Sequence, residues 1–126
     1  MTQLMVGLYK HQDLMDQTGG MGVATGFKTI DKNYGGFHPG QMIVIAARPS
    51  VGKSAFAGQI AFNMAHKGTR VGIVSLEMNN NEIAARIGAL DSNINFAAIF
   101  RGLYADENDR NKFLNTVNNS TSNLPI

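Results

Sequence analysis

The chain of 126 residues contains no cysteine, no tryptophan and only three prolines. Without cysteine it has neither a disulfide framework nor a thiolate metal site. The histidines His11, His38 and His66 stand apart and lack the spacing of metal ligands, so we expect surface or packing roles for them. A chain of this length suits one small domain, and a hydrophobic share of 44% is enough for a core.

Charge is also scarce. Charged residues make up 16% of the chain, and the net charge of +2 gives no overall electrostatic footprint for nucleic acid. The longest apolar run, Met42 to Ala47, is far too short to cross a membrane. The N-terminus lacks a basic segment followed by a long apolar stretch, so it does not read as a signal peptide. We therefore expect a cytoplasmic protein with no membrane partner.

The rest of the chain is organised around the stretch from Met42 to Ser54. Its first six residues are apolar and rich in β-branched types, which predicts a buried strand. A short loop leads to Gly52-Lys53-Ser54, and a helical pattern follows over residues 53–67. The order of strand, loop and helix is the context that a phosphate-binding loop requires.

The chemistry of such a loop explains its residue types. Consecutive backbone N–H groups form a concave anion site, and the start of the helix adds its positive dipole end. Lys53 would reach the terminal phosphates, and the Ser54 hydroxyl would ligate Mg²⁺. The strict motif has glycine where this chain has Ala47, which is acceptable if φ is negative there. The alternative is an ordinary strand-to-helix turn with a chance Gly-Lys-Ser.

A second apolar run, Arg70 to Leu76, predicts another strand and completes a βαβ unit with a parallel sheet. Glu77 follows this strand directly. Since ligands bind at the carboxyl ends of parallel strands, Glu77 is predicted on the same edge as the phosphates. There it could orient and deprotonate a water attacking the γ-phosphate. The alternative is a solvated carboxylate that opens a helix.

The segments on either side of this unit are predicted to be helical. Residues 3–17 read as a short amphipathic helix, either a frayed terminus or a docking helix that covers a neighbour's groove. Asn79 with Glu82 resembles a capping box, and Asp106 is placed to cap a later helix. The predicted domains are a linker or docking helix over residues 1–20 and a partial nucleotide-binding domain over 21–126.

Several of these segments together resemble the DnaB-type replicative DNA helicases of bacteria and their phages. They are Thr25-Gly26-Phe27 with Asp31, Gly36-Phe37-His38-Pro39-Gly40-Gln41, Ala46-Ala47-Arg48-Pro49-Ser50-Val51-Gly52-Lys53-Ser54 and Ser75-Leu76-Glu77-Met78. The resemblance covers about Thr25 to Asn119, and it accounts for Ala47 in the loop. Residues before Thr25 stand where the family carries a linker helix.

The resemblance implies an α/β fold. It would be a partial RecA-like P-loop NTPase domain, with the first two to three strands of a parallel sheet, flanking helices and a preceding linker helix. It implies ATP and Mg²⁺ as cofactors, Glu77 and Lys53 as catalytic residues, and Ser54 as the magnesium ligand. The residues implied in cofactor binding are Arg48, Pro49, Ser50, Val51, Gly52, Lys53, Ser54 and Ala55.

The resemblance further implies a homohexameric ring that couples ATP hydrolysis to DNA unwinding. Its partners would be single-stranded DNA, primase and a helicase loader. The family's Walker B aspartate, arginine finger and DNA-binding loops have no counterpart in these residues, so we expect the isolated chain to be inactive, as an excised fragment or a truncated product. The alternatives are a nucleotide-binding or ring-capping module without hydrolysis, and a related RecA-like recombination ATPase.

Overall fold

A computed structural model describes residues 22–126, which fall into two compact units. We call residues 22–44 the N-terminal unit and residues 45–126 the helical unit. The helix predicted over residues 3–17, like the predicted domain boundary at residue 20, lies outside the described residues.

The N-terminal unit is built around one short helix, α1, Lys28–Tyr34. An isolated antiparallel bridge joins Val23 to Phe37, with both backbone hydrogen bonds at 2.8 Å. This bridge brings together the segments before and after α1, so the helix and its two flanking segments form a closed loop. Ser, Thr, Asn or Asp usually caps a helix, but Phe27 stands at the N-cap of α1 and supplies no side-chain hydrogen bond.

The carboxylate of Asp31 holds the chain that enters α1 by accepting three hydrogen bonds. Its Oδ1 accepts hydrogen bonds from the Thr25 N–H at 2.8 Å and from the Thr25 hydroxyl at 2.7 Å, and its Oδ2 accepts from the Gly26 N–H at 3.0 Å. Thr25 is fully buried. Because bonds to an ionised carboxylate are stronger than those between neutral groups, this cluster holds the Thr25–Gly26 turn against the helix.

We expect Asp31→Asn to loosen this turn. The amide keeps one acceptor oxygen but presents an NH₂ group where one of the N–H donors now binds, so at least one charge-assisted bond is lost, a cost of about 1.5–3 kcal/mol. Amide hydrogen exchange at Thr25 and Gly26 should become roughly 10- to 150-fold faster. The exposed Lys32→Gln on the same helix is the control and should leave both rates unchanged. Unchanged exchange in Asp31→Asn would show that the cluster does not hold the turn.

The helical unit contains four α-helices and one short 3₁₀ helix. They are α2 Lys53–His66, α3 Asn80–Ser92, α4 Phe96–Arg101, α5 Glu107–Asn119 and the 3₁₀ helix Thr121–Asn123. Helix α3 is central, since α2, α4 and α5 all pack against it. Buried apolar side chains come mainly from α2 and α3: Ile60, Ala61, Met64, Ala65, Ile87 and Ile94, the last lying just beyond α3.

Several local predictions are confirmed in this unit. The helix predicted over residues 53–67 is α2, which ends at His66 with Lys67 as its C-cap. Asn79 caps α3 by accepting a hydrogen bond from the Glu82 N–H at 2.9 Å. Asp106 caps α5 by accepting from the Asp109 N–H at 2.8 Å. These features depend on residues three or four apart, so the sequence alone specifies them.

The contact between α3 and α5 depends on a glycine. A Cβ atom at Gly88 would lie 2.8 Å from Cε2 of Phe113, so any side chain there would push the ring away. The ring of Phe113 also packs at a tilt against Tyr104, with the ring centroids 6.1 Å apart. At the far end of α3, the Thr121 hydroxyl donates a hydrogen bond to the Asp91 carboxylate at 2.7 Å.

The predicted α/β fold with a RecA-like parallel sheet is wrong for residues 22–126. No strand or sheet occurs among them beyond the isolated bridge, and the two runs predicted as buried strands, 42–47 and 70–76, are irregular. Their apolar side chains are largely exposed, with Val74 at 95% and Leu76 at 98%.

The physical reason is that a strand needs a partner. An extended segment becomes part of a sheet only when a neighbour takes its N–H and C=O groups, and such a neighbour is distant in sequence. In the described part of the chain, the segment 70–76 makes one such bond, which the Val71 N–H donates to the Pro125 C=O at 2.8 Å. A single bond of this kind does not make a ladder, so both apolar runs stay irregular.

Candidate functional site

The loop before α2 is a tight turn with two residues at positive φ. The Val51 N–H donates to the Arg48 C=O at 3.3 Å and closes the turn. Ser50 has φ of 66° and Gly52 has φ of 103°. A Cβ atom at Gly52 would meet nothing within 4 Å, so the backbone conformation rather than crowding is what favours glycine there.

Helix α2 begins directly after this turn, with Lys53 and Ser54 in its first turn. Gly52 is the N-cap and supplies no side chain, and the first helical hydrogen bond runs from the Phe56 N–H to the Gly52 C=O at 2.9 Å. The N–H groups of residues 53–55 precede that bond and point out of the helix end. Together with the helix dipole, they make this end favourable for an anion.

Glu77 lies in a second turn, between the irregular segment 70–76 and α3. The Ser75 hydroxyl oxygen accepts a hydrogen bond from the Met78 N–H at 2.9 Å and closes that turn around Glu77. Asn79 follows as the N-cap of α3. The side chain of Glu77 is 72% exposed, so it is held by the turn rather than by packing.

The structure brings Lys53 and Glu77 together. The Lys53 Nζ lies 3.7 Å from the Glu77 Oε1, although the two residues come from separate segments. The prediction that both lie at one edge of a sheet is wrong, because no sheet is present in residues 22–126. The structure nevertheless places Lys53 and Glu77 close to each other. The ion pair between the two groups could not be predicted, because opposite charges on separate segments give no local signal.

The remaining predicted residues belong to the turn before α2 and to the first turn of that helix. Arg48 and Pro49 lie exposed in the turn, while Ser54 is half-buried at the start of α2. Among residues 22–126 no group of three or more His, Cys, Asp or Glu side chains is placed to hold a metal ion. The assignment of Ser54 as a magnesium ligand therefore stays a prediction. In the same residues no helix is long and apolar enough to span a bilayer.

Comparison with known families decides what kind of domain carries this turn. The family model described as DnaB-like helicase C terminal domain matches residues 22–126. The chain belongs to the DnaB-like helicase C-terminal domain family. The match includes the Gly52-Lys53-Ser54 turn and the Glu77 turn, as the resemblance of their sequences predicts. It also favours a helicase origin over a recombination ATPase.

Individual relatives agree with the family. The chain is 39% identical over 95 residues to "Replicative DNA helicase DnaB" of Geobacillus stearothermophilus, covering 73% of this chain and 21% of that protein. It is 41% identical over 87 residues to "Replicative DNA helicase DnaC" of Bacillus subtilis, covering 68% and 19%. A "Probable plasmid replicative DNA helicase" of Chlamydia psittaci is 46% identical over 67 residues, covering 52% and 15%.

The chain thus spans about a fifth of the length of the curated relatives it matches. No solved structure matches it.

Proposed function

We propose that this chain is the ATP-binding part of a hexameric replicative DNA helicase that couples ATP hydrolysis to DNA unwinding. The observation that carries the proposal is the Gly52-Lys53-Ser54 turn at the start of α2, with Glu77 3.7 Å from Lys53, in a chain of the DnaB-like family. The turn supplies groups that bind phosphate, and Glu77 supplies a carboxylate beside them.

The residues present fit an ATP–Mg²⁺ complex. The outward N–H groups of residues 53–55 and the positive end of α2 suit a polyphosphate. The Lys53 ammonium would bind the terminal phosphates, and the Ser54 hydroxyl would ligate Mg²⁺. The absence of a side-chain cap at Gly52 supports this reading, because nothing within the turn competes for those donors. When bound, the metal would neutralise charge that develops on the phosphates.

Glu77 would orient and deprotonate the attacking water. A general base must come within hydrogen-bond reach of the proton it removes, directly or through one water. Its position beside Lys53 would put a carboxylate close to the terminal phosphate, where that water must sit. This role, like those of Lys53 and Ser54, is part of the proposal.

The larger assembly is proposed on family grounds. We propose a homohexamer that moves on single-stranded DNA in the cytoplasm, with a primase and a helicase loader as partners. Residues 22–126 carry no feature that we assign to DNA binding. The proposal therefore places the DNA contacts and the rest of the catalytic machinery in parts of a helicase that these residues do not supply.

The test of the proposal is ATP binding by Lys53→Ala. Removal of a charge-assisted contact should cost about 1.5–3 kcal/mol, which is roughly a 10- to 150-fold weaker affinity. A fluorescent ATP analogue titrated against the parent chain and the variant, with Mg²⁺ present, measures the effect. Lys67→Ala is the matched control, because it removes the same charge from the other end of α2.

We expect the Lys67→Ala chain to bind the analogue as the parent does. Equal affinities for Lys53→Ala and the parent would show that the turn is not a phosphate site. Equal losses in both lysine variants would show that only the general positive charge of the chain attracts the nucleotide.

A further inference from the structure

We propose that the Lys53–Glu77 contact is a resting lock, in which Glu77 occupies Lys53 until the phosphates of a nucleotide displace it. This inference deepens the proposed function and rests on it. In this resting state, Lys53 and Glu77 contact each other before either acts on a nucleotide.

The geometry is that of an exchangeable pair. The separation of 3.7 Å between Nζ and Oε1 is within ion-pair range but longer than a tight charge-assisted hydrogen bond. The side chains are 46% and 72% exposed, so an incoming anion can reach either group without unfolding anything. Such exposed pairs are weak, and a multiply charged phosphate group offers the ammonium more acceptor oxygens than one carboxylate does.

The backbone around Glu77 allows the carboxylate to leave. Glu77 lies in the turn closed by the Ser75 oxygen and the Met78 N–H, next to Leu76, which is 98% exposed. It belongs to no helix in the structure, since α3 begins only at Asn80. A rotation of the Glu77 side chain therefore moves its carboxylate away from Lys53 while the capped start of α3 stays in place.

The order of events follows from this competition. In the structure Glu77 faces Lys53, and in the proposed resting state this contact holds the carboxylate away from the attacking water. When phosphate oxygens take Lys53, the carboxylate is released beside the terminal phosphate, where the attacking water must lie. The base is thus released more fully when there is a phosphate to attack. Removal of the carboxylate should free Lys53 at all times and favour nucleotide binding.

Chemical labelling of lysines in the nucleotide-free chain tests the lock directly. An amine-acylating reagent followed by mass spectrometry gives the labelling rate of Lys53 relative to that of Lys67. We expect Glu77→Gln to raise this ratio about 1.5- to 5-fold, the size typical of an exposed ion pair. Glu107→Gln, which removes an exposed carboxylate at the start of α5, should leave the ratio unchanged.

ATP titration gives a second and separate readout. Glu77→Gln should bind the fluorescent ATP analogue tighter by a similar factor, and this gain should vanish when Lys53→Gln is also present. An unchanged labelling ratio would overturn the lock, even if the parent binds ATP well. A gain in affinity that persists beside Lys53→Gln would overturn it too, since Glu77 would then act by simple repulsion. A parent chain that fails to bind ATP would instead overturn the proposed function, while the labelling result would still report on the pair.

Discussion

Glu77→Gln should lower ATP turnover by about 10²–10⁴-fold, the usual contribution of a general base, while ATP affinity is kept or slightly improved. The substitution preserves shape and hydrogen-bonding reach but removes the group that would accept the proton. Because such a group acts mainly in the transition state, its loss should appear in kcat rather than in binding. Steady-state hydrolysis and strand-displacement assays measure the effect, and we expect hydrolysis and unwinding to be lost together while the ring still forms.

This measurement belongs in a full-length helicase of the family that carries these residues, because the chain spans about a fifth of its curated relatives. Glu107→Gln is the control, since it removes an exposed carboxylate from the same unit and should leave turnover at the parent rate. If Glu77→Gln hydrolyses ATP as fast as the parent, Glu77 is only a carboxylate ahead of a helix. The base would then have to be sought in another residue.

Ile87→Ala should destabilise the helical unit by about 2–5 kcal/mol, the largest effect on folding that we expect. Ile87 is 6% exposed and lies on α3, the helix against which three others pack. Its truncation removes apolar surface from the core and leaves a cavity that the surrounding helices fill only in part. Urea unfolding of the 126-residue chain, followed by circular dichroism at 222 nm, measures the loss.

Leu103→Ala is the matched control, because it makes a comparable truncation at a side chain that is 69% exposed. Its effect should stay within about 0.5 kcal/mol. A similar loss in both variants would mean that the helical unit has no specific core around α3. A negligible loss in Ile87→Ala would mean that the unit is loosely packed where the structure shows a buried side chain.

The sequence predicted the parts of this fold that depend on near neighbours. The span of α2, the Asn79 cap and the Asp106 cap each follow from residues within one turn of one another. The phosphate-loop pattern is visible in the sequence because its residue order is itself the signal, and its role as a phosphate site stays a prediction. These features could be read from the chain with no knowledge of its three-dimensional partners.

The features that could not be predicted involve residues far apart. The apolar run 70–76 reads as a strand, but the neighbour that would make it one is not a local property, and the described structure leaves the run unpaired. The Asp91–Thr121 hydrogen bond joins residues 30 apart and has no signature in sequence. The Asp31 cluster is intermediate between local and distant features. Its spacing, Thr-Gly with an aspartate six residues after the threonine, is visible in the sequence.

Helix α3 runs from the candidate site to the far side of the helical unit, so a tilt of the whole helix moves the end at the site. Its 13 residues span about 20 Å, with the Glu77 turn joined to one end through Asn79 and the Asp91–Thr121 bond near the other. A tilt of about five degrees about the far end would shift the near end by roughly 1.7 Å, given that length. Since Lys53 and Glu77 are only 3.7 Å apart, so small a tilt is enough to make or break their contact. A displacement of the Thr121 end would therefore change the separation of Lys53 and Glu77.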